Sequence, residues 1–493
     1  MVYIVILIIV LLFFLLYALL DDLYLFKFKK LPPGPFSLPI IGGVHLLGRE
    51  PYKSIQNLAL KYGDIFSLRM GMRERVVFIE DPELMKQLLK SEYLADRPHS
   101  PFFDIISKDG HGIGSRPYDF TWRLHTRLIQ SNMSKVIQTQ LDDILQNAVE
   151  QLFRKLEGMR GEPFAPDQAI HTCFLKTLGS FIFGHDYTAA DDYRLQQLLW
   201  LNTETMKGLN PVNCINMIPG LKHVSLPFFP NYRDVNKAKE KMLHDEFERH
   251  NANFDGHARD MMDVILQELK NSPKLRHPQE EDRLQLNSLL MSLFTLVVAG
   301  EQTLSVNILW LLLYLAKHQD CQEKIYKELR DNTVIATDFI QIHTKDKFPY
   351  TTAFYMETMR YVTSNYFGIP RACSSDIHVR GYIIPKGTTV FPNFWSMNRS
   401  EKFWSNPHEF QPDRFLKLDS EQLSNTPGFY VFGYGRRPCI GHQLGRACLF
   451  SFLCNIVNKF HVFLPDDEKP DMQGRANLVI EPPIFKLKFQ KRS

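Results

Sequence analysis

Residues 432–441 read F-G-Y-G-R-R-P-C-I-G, a glycine-rich turn that carries one cysteine, Cys439, behind two arginines. A helix-forming run from His442 to Phe460 follows it. A thiolate at Cys439 would be favoured by nearby guanidinium charge and by the amide groups that open such a helix. A thiolate is a good donor to iron, and a cysteine-ligated haem is the electron-rich kind that favours O–O cleavage. A lone cysteine in a turn is otherwise a buried, inert group. Gly435 and Gly441 weigh against inertness, since glycine lets the backbone approach a flat cofactor and adopt conformations that other residues resist.

The chain around this turn has 493 residues, 44% hydrophobic and 23% charged, an ordinary globular balance. The length alone suggests about three domains, yet no internal linker, repeat or long low-complexity segment divides it. A formal charge of +4, with no basic run interleaved with aromatics, excludes a nucleic-acid binder. The seven cysteines (Cys173, Cys214, Cys321, Cys373, Cys439, Cys448 and Cys454) are scattered and odd in number. Cys439 and His442 form one C-x-x-H without a second pair, so zinc is not indicated. Reduced thiols in a cytosol-facing body fit better than a disulfide framework.

Val2 to Leu20 carries no charge, and these 19 residues would span about 28 Å as a helix, close to the bilayer core. The run lacks the basic start, short apolar core and small-residue cleavage site of a signal peptide, which points to an uncleaved anchor over residues 1–20. Lys27, Lys29 and Lys30 then place the following side in the cytoplasm. Residues 21–43 read as a basic and proline-rich hinge ending in L-P-P-G-P-F-S-L-P-I-I-G-G, and residues 44–493 as the body. Asn398-Arg399-Ser400 is a glycosylation sequon that a cytosolic body would leave unmodified.

Within the body, Ile65 to Met70 and Val76 to Ile79 alternate as strands, and about Asp119 to Arg330 shows helical spacing. Short strands return over Ile377 to Val390, and Asn477 to Lys488 reads as a late hairpin. Leu286 to Ala316 is apolar enough to cross a membrane. Asn287, Gly300, Glu301, Gln302 and Asn307 interrupt it, so a central core helix is the better reading. In that helix, Ala299-Gly300-Glu301-Gln302-Thr303 joins a glycine to a threonine whose hydroxyl competes for a carbonyl one turn back. Such a gap could hold oxygen and water, with a hydroxyl to relay protons. Glu357 and Arg360 stand three residues apart, on one helix face.

The Cys439 segment resembles the haem-binding loop of the cytochrome P450 family, F-x-x-G-x-R-x-C-x-G, with Phe432, Gly435, Arg437, Cys439 and Gly441 at its fixed positions. Further matches occur in family order: the Trp122 segment, the Thr303 helix, E-x-x-R and P-x-R-F. The resemblance implies a mainly α fold with small β-sheets behind an N-terminal transmembrane helix. It implies haem b with Cys439 as the axial iron ligand, and Arg437, Trp122, Arg127 and Arg371 at the propionates. Arg127 stands one residue beyond the family's usual arginine position, which Thr126 occupies. Glu357, Arg360 and Arg414 would brace the loop. On the oxygen side the pattern A-G-x-[D/E]-T-[T/S] is kept at Ala299, Gly300 and Thr303. Gln302 takes the place of the acid and Leu304 that of the second hydroxyl, which leaves Glu301, water or Thr303 to deliver protons. Phe102, Phe103, Val298, Ala299, Phe367 and Val479 fall at substrate-pocket positions.

By the same resemblance, the activity is insertion of one atom of O2 into an apolar small molecule such as a steroid, fatty acid or xenobiotic. No nucleotide-binding fingerprint is present, so electrons from NADPH would arrive through a separate flavoprotein, NADPH-cytochrome P450 reductase, with cytochrome b5 as a further partner. The place implied is the endoplasmic reticulum membrane, single-pass, with the catalytic domain cytosolic. A haem-thiolate isomerase or dehydratase of lipid peroxides, and a non-catalytic haem protein, stay open as alternatives.

Overall fold

The computed structural model describes residues 2–71, 75–99, 101–107, 112–184, 192–209, 232–271, 280–332, 339–416 and 426–492. Cys214 and the side chain of Phe102 lie outside the described residues. The chain begins with α1 (Val2–Lys27), then α2 (Pro51–Tyr62), strands β1 (Ile65–Arg69) and β2 (Arg75–Ile79), and α3 (Pro82–Lys90). A helical stretch follows: α4 (Pro101–Ile106), α5 (Phe120–Gly158), α6 (Asp167–Phe183), α7 (Tyr193–Gly208), α8 (Tyr232–Asn253) and α9 (Met261–Asn271). It continues through α10 (Glu280–Lys317), α11 (Gln319–Asn332) and α12 (Pro349–Val362). Short strands β3 (Arg371–Ala372), β4 (Ile377–Val379), β5 (Tyr382–Ile384) and β6 (Thr389–Pro392) lead to the brief helix α13 (Phe394–Met397). The chain closes with α14 (His442–Lys459), β7 (Phe460–Phe463), β8 (Arg475–Ala476), β9 (Ile480–Glu481) and β10 (Lys488–Lys491).

Local signals explain where the site-bearing helices start. Asp81 caps α3 by accepting the Leu84 amide, with Pro82 next to it. Asp119 caps α5 through the Trp122 amide at 2.6 Å, which fixes where that indole enters the body. The core is built where α10 packs on α6, α12 and α14, while α5 covers α6 and α14. From Leu289 to Ala316 nearly every apolar side chain of α10 is buried, so its hydrophobicity faces protein. A four-stranded sheet of order β1-β2-β6-β3 flanks this core, with β2 and β6 parallel and the other neighbours antiparallel.

Two boundaries differ from the sequence reading. The first helix does not stop near Leu20 but runs to Lys27, because Asp21 and Asp22 find cationic partners in β1 and β2. The late hairpin pairs β8 with β9, upstream of Lys488, while β10 leaves it to pair with β7. Asn398 is buried, its amide donating to Thr363 and its carbonyl oxygen accepting from the Tyr430 amide, so the sequon is inaccessible in the folded chain.

Candidate active site

The Cys439 turn is held by its own backbone and by α3. The Cys439 amide donates to the Phe432 carbonyl at 2.7 Å, closing the loop. Gly435 has φ +79°, and a Cβ there would fall 1.9 Å from the Leu89 carbonyl oxygen, so this position accepts glycine alone. Arg436 completes the junction by donating its amide to Leu89 and its Nε to Lys90, each at 2.9 Å. Gly441 differs: its φ is −87° and a Cβ would meet nothing within 4 Å. Phe432 packs beside His442 and under the Arg446 guanidinium.

Cys439 is the one accessible thiol among the described cysteines, yet it sits recessed within the protein. Burial raises its pKa, and the Gly441 amide hydrogen bond draws it back down. The two preceding arginines contribute nothing to the sulfur. Arg436 reaches toward Glu92 at 3.6 Å, and Arg437 stacks on Trp122 with 4.4 Å between guanidinium carbon and ring centre. Burial therefore outweighs the amide at the start of α14, and the thiol pKa stays raised with no help from guanidinium charge.

Behind the turn, Arg437 and Arg371 gather with an arginine that sequence reasoning passed over, Arg97. All three are buried. Arg97 donates to the carbonyls of Gly114, Ile369 and Pro370, and Arg371 to the Arg437 carbonyl at 2.7 Å. Burial lowers all three, Arg371 to about 9 and Arg437 to about 10; neighbouring guanidinium charge lowers Arg97 and Arg371 as well, while Asp96 and Asp119 draw Arg437 partly back up. No carboxylate among the described residues forms an ion pair with any of them. Arg371 Nε and Arg437 Nε and Nη1 are buried without a hydrogen-bond partner. Buried donors on cations demand an acceptor, and a haem carrying two propionates supplies anionic oxygens at such a cluster. The residues present therefore fit the cofactor. Trp122 stands in this cluster, although its indole N–H donates to the Ile113 carbonyl at 3.0 Å. Arg127 does not join it, because it is exposed, about 140° round α5 from Trp122. No local sequence pattern marks Arg97.

On α10, Ala299 is exposed and Thr303 half-exposed although most of the helix is buried, so this face is not covered by the rest of the chain. The Thr303 hydroxyl donates to the Ala299 carbonyl at 2.8 Å. Glu301 points elsewhere: it accepts from His171 Nδ1 at 2.6 Å, Asn202 at 3.0 Å and Ser305 at 3.1 Å. Gln302 donates to Glu481 of β9 at 3.2 Å. The three residues read as one group thus diverge, with only Thr303 kept on the accessible face. Phe103, Val298 and Val479 are buried, whereas Phe367 packs with Tyr366, Phe78 and Phe391 on the sheet side.

Glu357, Arg360 and Arg414 meet in one buried network. Arg360 grips Glu357 through two bonds of 2.7 and 2.9 Å, and Arg414 Nε lies 3.2 Å from the same carboxylate. Arg360 also donates to the carbonyls of Asn398 and Pro407, and Arg414 to that of Ser405. The network fastens α12 to the irregular segment 398–415, whose Asn398 holds the Tyr430 amide just before the cysteine turn.

The Cytochrome P450 family model matches residues 32–489. Among curated relatives, cytochrome P450 1A1 of Canis lupus familiaris is 28% identical over 90% of this chain and 87% of its own. Steroid 17-alpha-hydroxylase/17,20 lyase of Ictalurus punctatus is 28% identical over 93% and 90%. Cytochrome P450 2U1 of Homo sapiens is 27% identical over 94% and 90%. Of solved structures, a zebra fish cytochrome P450 with progesterone superposes with TM-score 0.78 at 24% identity, over 89% of this chain and 99% of that one. The same description with abiraterone gives 0.76 at 24%, over 90% and 100%. A chain matched over nearly its whole length, folded alike, and bearing an accessible cysteine beside unneutralised buried arginines belongs to the cytochrome P450 family of monooxygenases.

Proposed function

We propose that this chain is an anchored haem-thiolate monooxygenase that inserts one atom of O2 into an apolar small molecule of the steroid, fatty acid or xenobiotic class. The observation that carries it is the pairing of an accessible Cys439 with buried donors on Arg371 and Arg437. Haem b, when bound, supplies the oxygen activation. Cys439 would hold its iron, with the Gly441 amide stabilising the sulfur charge. Arg97, Arg371 and Arg437 would hold the propionates, and the stack of Arg437 on Trp122 keeps that guanidinium in place. Thr303 offers the hydroxyl on the open face of α10, able to release the Ala299 carbonyl and hold a proton or water.

The substrate class follows the relatives: one is named a steroid hydroxylase and one solved neighbour was studied with progesterone. Residues 1–20 serve as the anchor and 44–493 as the haem-binding body, placed at the endoplasmic reticulum with the body cytosolic. Electrons come from NADPH through NADPH-cytochrome P450 reductase, with cytochrome b5 as a second donor. Purified protein, reduced and exposed to carbon monoxide, should show the red-shifted Soret band of a thiolate-ligated haem, and Cys439→Ala should lack it. Product formation should require NADPH, reductase and O2. Turnover of a lipid hydroperoxide without any of these would favour the isomerase reading.

A further inference from the structure

The junction between α1 and the body is built as a clamp. The Asp22 side chain is fully buried and its carboxylate accepts from Arg75 Nε at 2.9 Å, Arg75 Nη2 at 2.7 Å and the Ser37 amide at 2.7 Å. One residue earlier, Asp21 pairs with Arg69 at the end of β1. Arg75 then spreads its remaining donors over the Ser67 carbonyl of β1 and the Pro35 carbonyl of the proline segment, at 3.1 and 2.7 Å. Phe26, on the last turn of α1, covers this guanidinium with its ring 4.5 Å away.

The proline segment is pinned in the same manner. Ser67 donates its amide to Pro33 and its hydroxyl to Pro32, each at 2.7 Å, and Ile383 donates to Lys30 at 2.9 Å. At Gly34 a Cβ would lie 1.9 Å from the Ser67 carbonyl oxygen, so the strap lies flat on β1. A tether needs none of these contacts, and a desolvated ion pair is weak evidence for added stability.

We infer that the Asp22–Arg75 pair locks α1 to the β1–β2 sheet, making helix and body one rigid unit whose tilt on a lipid bilayer is set by the helix. The idea rests on the anchor reading for its bilayer part, while the lock itself is a property of the chain. Among the described side chains of α1, Leu12, Leu16, Leu20 and Leu23 are exposed, which leaves lipid to surround the helix that the lock orients.

The test uses full-length holoenzyme in phosphatidylcholine nanodiscs, spin-labelled through click-reactive noncanonical residues at Tyr3 and Leu60, both strongly exposed. Pulsed dipolar spectroscopy should give one narrow distance distribution. Asp22→Asn and Arg75→Gln should each broaden it at least twofold, and the charge-keeping Arg75→Lys should stay narrower than Arg75→Gln. A broad native distribution, or a width indifferent to both charge-removing variants, overturns the lock. Should Asp22→Asn unfold the body, Arg75→Lys against Arg75→Gln decides: a narrower width for Lys supports the lock and equal widths refute it. Failure of the protein to float with lipid vesicles would instead refute the anchor, and the same distances measured in detergent would still judge the lock.

Discussion

His171 and Glu301 face each other across the interface of α6 and α10, with imidazole Nδ1 2.6 Å from the carboxylate. The carboxylate nearest the proton-relay position is therefore occupied in holding two helices together. Burial tends to lower the His171 pKa, but the Glu301 hydrogen bond and charge, with Asp167 behind, raise it above 6.5. A raised folded-state pKa gives stability that is fully present below the unfolded value of 6.5 and is lost as pH rises through the folded one. His171→Gln should therefore cost about 1.5–3 kcal/mol in acid, with the gap from the parent closing toward alkaline pH. Chemical denaturation over about pH 5.5 to 9 checks this, and a pH-independent gap would contradict it.

Arg371 should behave in opposite ways in the two forms of the protein. Without haem it is a buried cation with an orphaned Nε, pushed down to about 9 by burial and repelled by Arg437. Arg371→Gln should leave the haem-free protein as stable as before or more stable by about 1–3 kcal/mol. In the holoenzyme the same change would remove the proposed propionate donor and should speed haem loss at least tenfold. Urea unfolding of the haem-free form and transfer of haem to an acceptor protein measure the two effects.

Arg360→Ala removes the bidentate partner of the buried Glu357 carboxylate, leaving Oε2 unpaired while Arg414 and the Gln411 amide still reach Oε1, and opens three carbonyl contacts. The expected cost is roughly 3–5 kcal/mol, seen as loss of soluble haem-loaded protein or a large fall in denaturation midpoint. Arg414→Ala should cost less, because Arg360 continues to satisfy Glu357 through both oxygens.

Gly435 and Gly441 occupy one turn but should respond differently to alanine. Gly435→Ala forces a side chain to φ +79° and onto the Leu89 carbonyl, a loss on the order of 3 kcal/mol. Gly441→Ala meets open space and should be neutral without haem, with any effect confined to the loaded protein. Thermal unfolding of both variants, with and without haem, separates a backbone requirement from room left for the cofactor.

Motifs confined to one stretch were legible from the chain. The cysteine turn, the strands at Ile65 and Val76, and the buried course of α10 follow from spacing, glycine placement and hydrophobic period. The cluster of Arg97, Arg371 and Arg437 was not, because it joins residues hundreds of positions apart and its logic is an excess of buried charge that no local pattern records. The orientation of Glu301, Gln302 and Thr303 was likewise undetermined. One turn of helix aims its side chains in different directions, and their partners His171, Asn202 and Glu481 come from α6, α7 and β9.

The sequence by itself thus determined the iron-ligand candidate, the family and the succession of elements, since each depends on neighbouring residues. Only the tertiary structure decided which charges are neutralised within the chain and which are left exposed to a cofactor. It alone showed Asp22 and Arg75 closing what proline content suggests is a hinge. The physical reason is common to both: buried charge is settled by whichever partner the fold brings within hydrogen-bond reach, and that partner is seldom near in sequence.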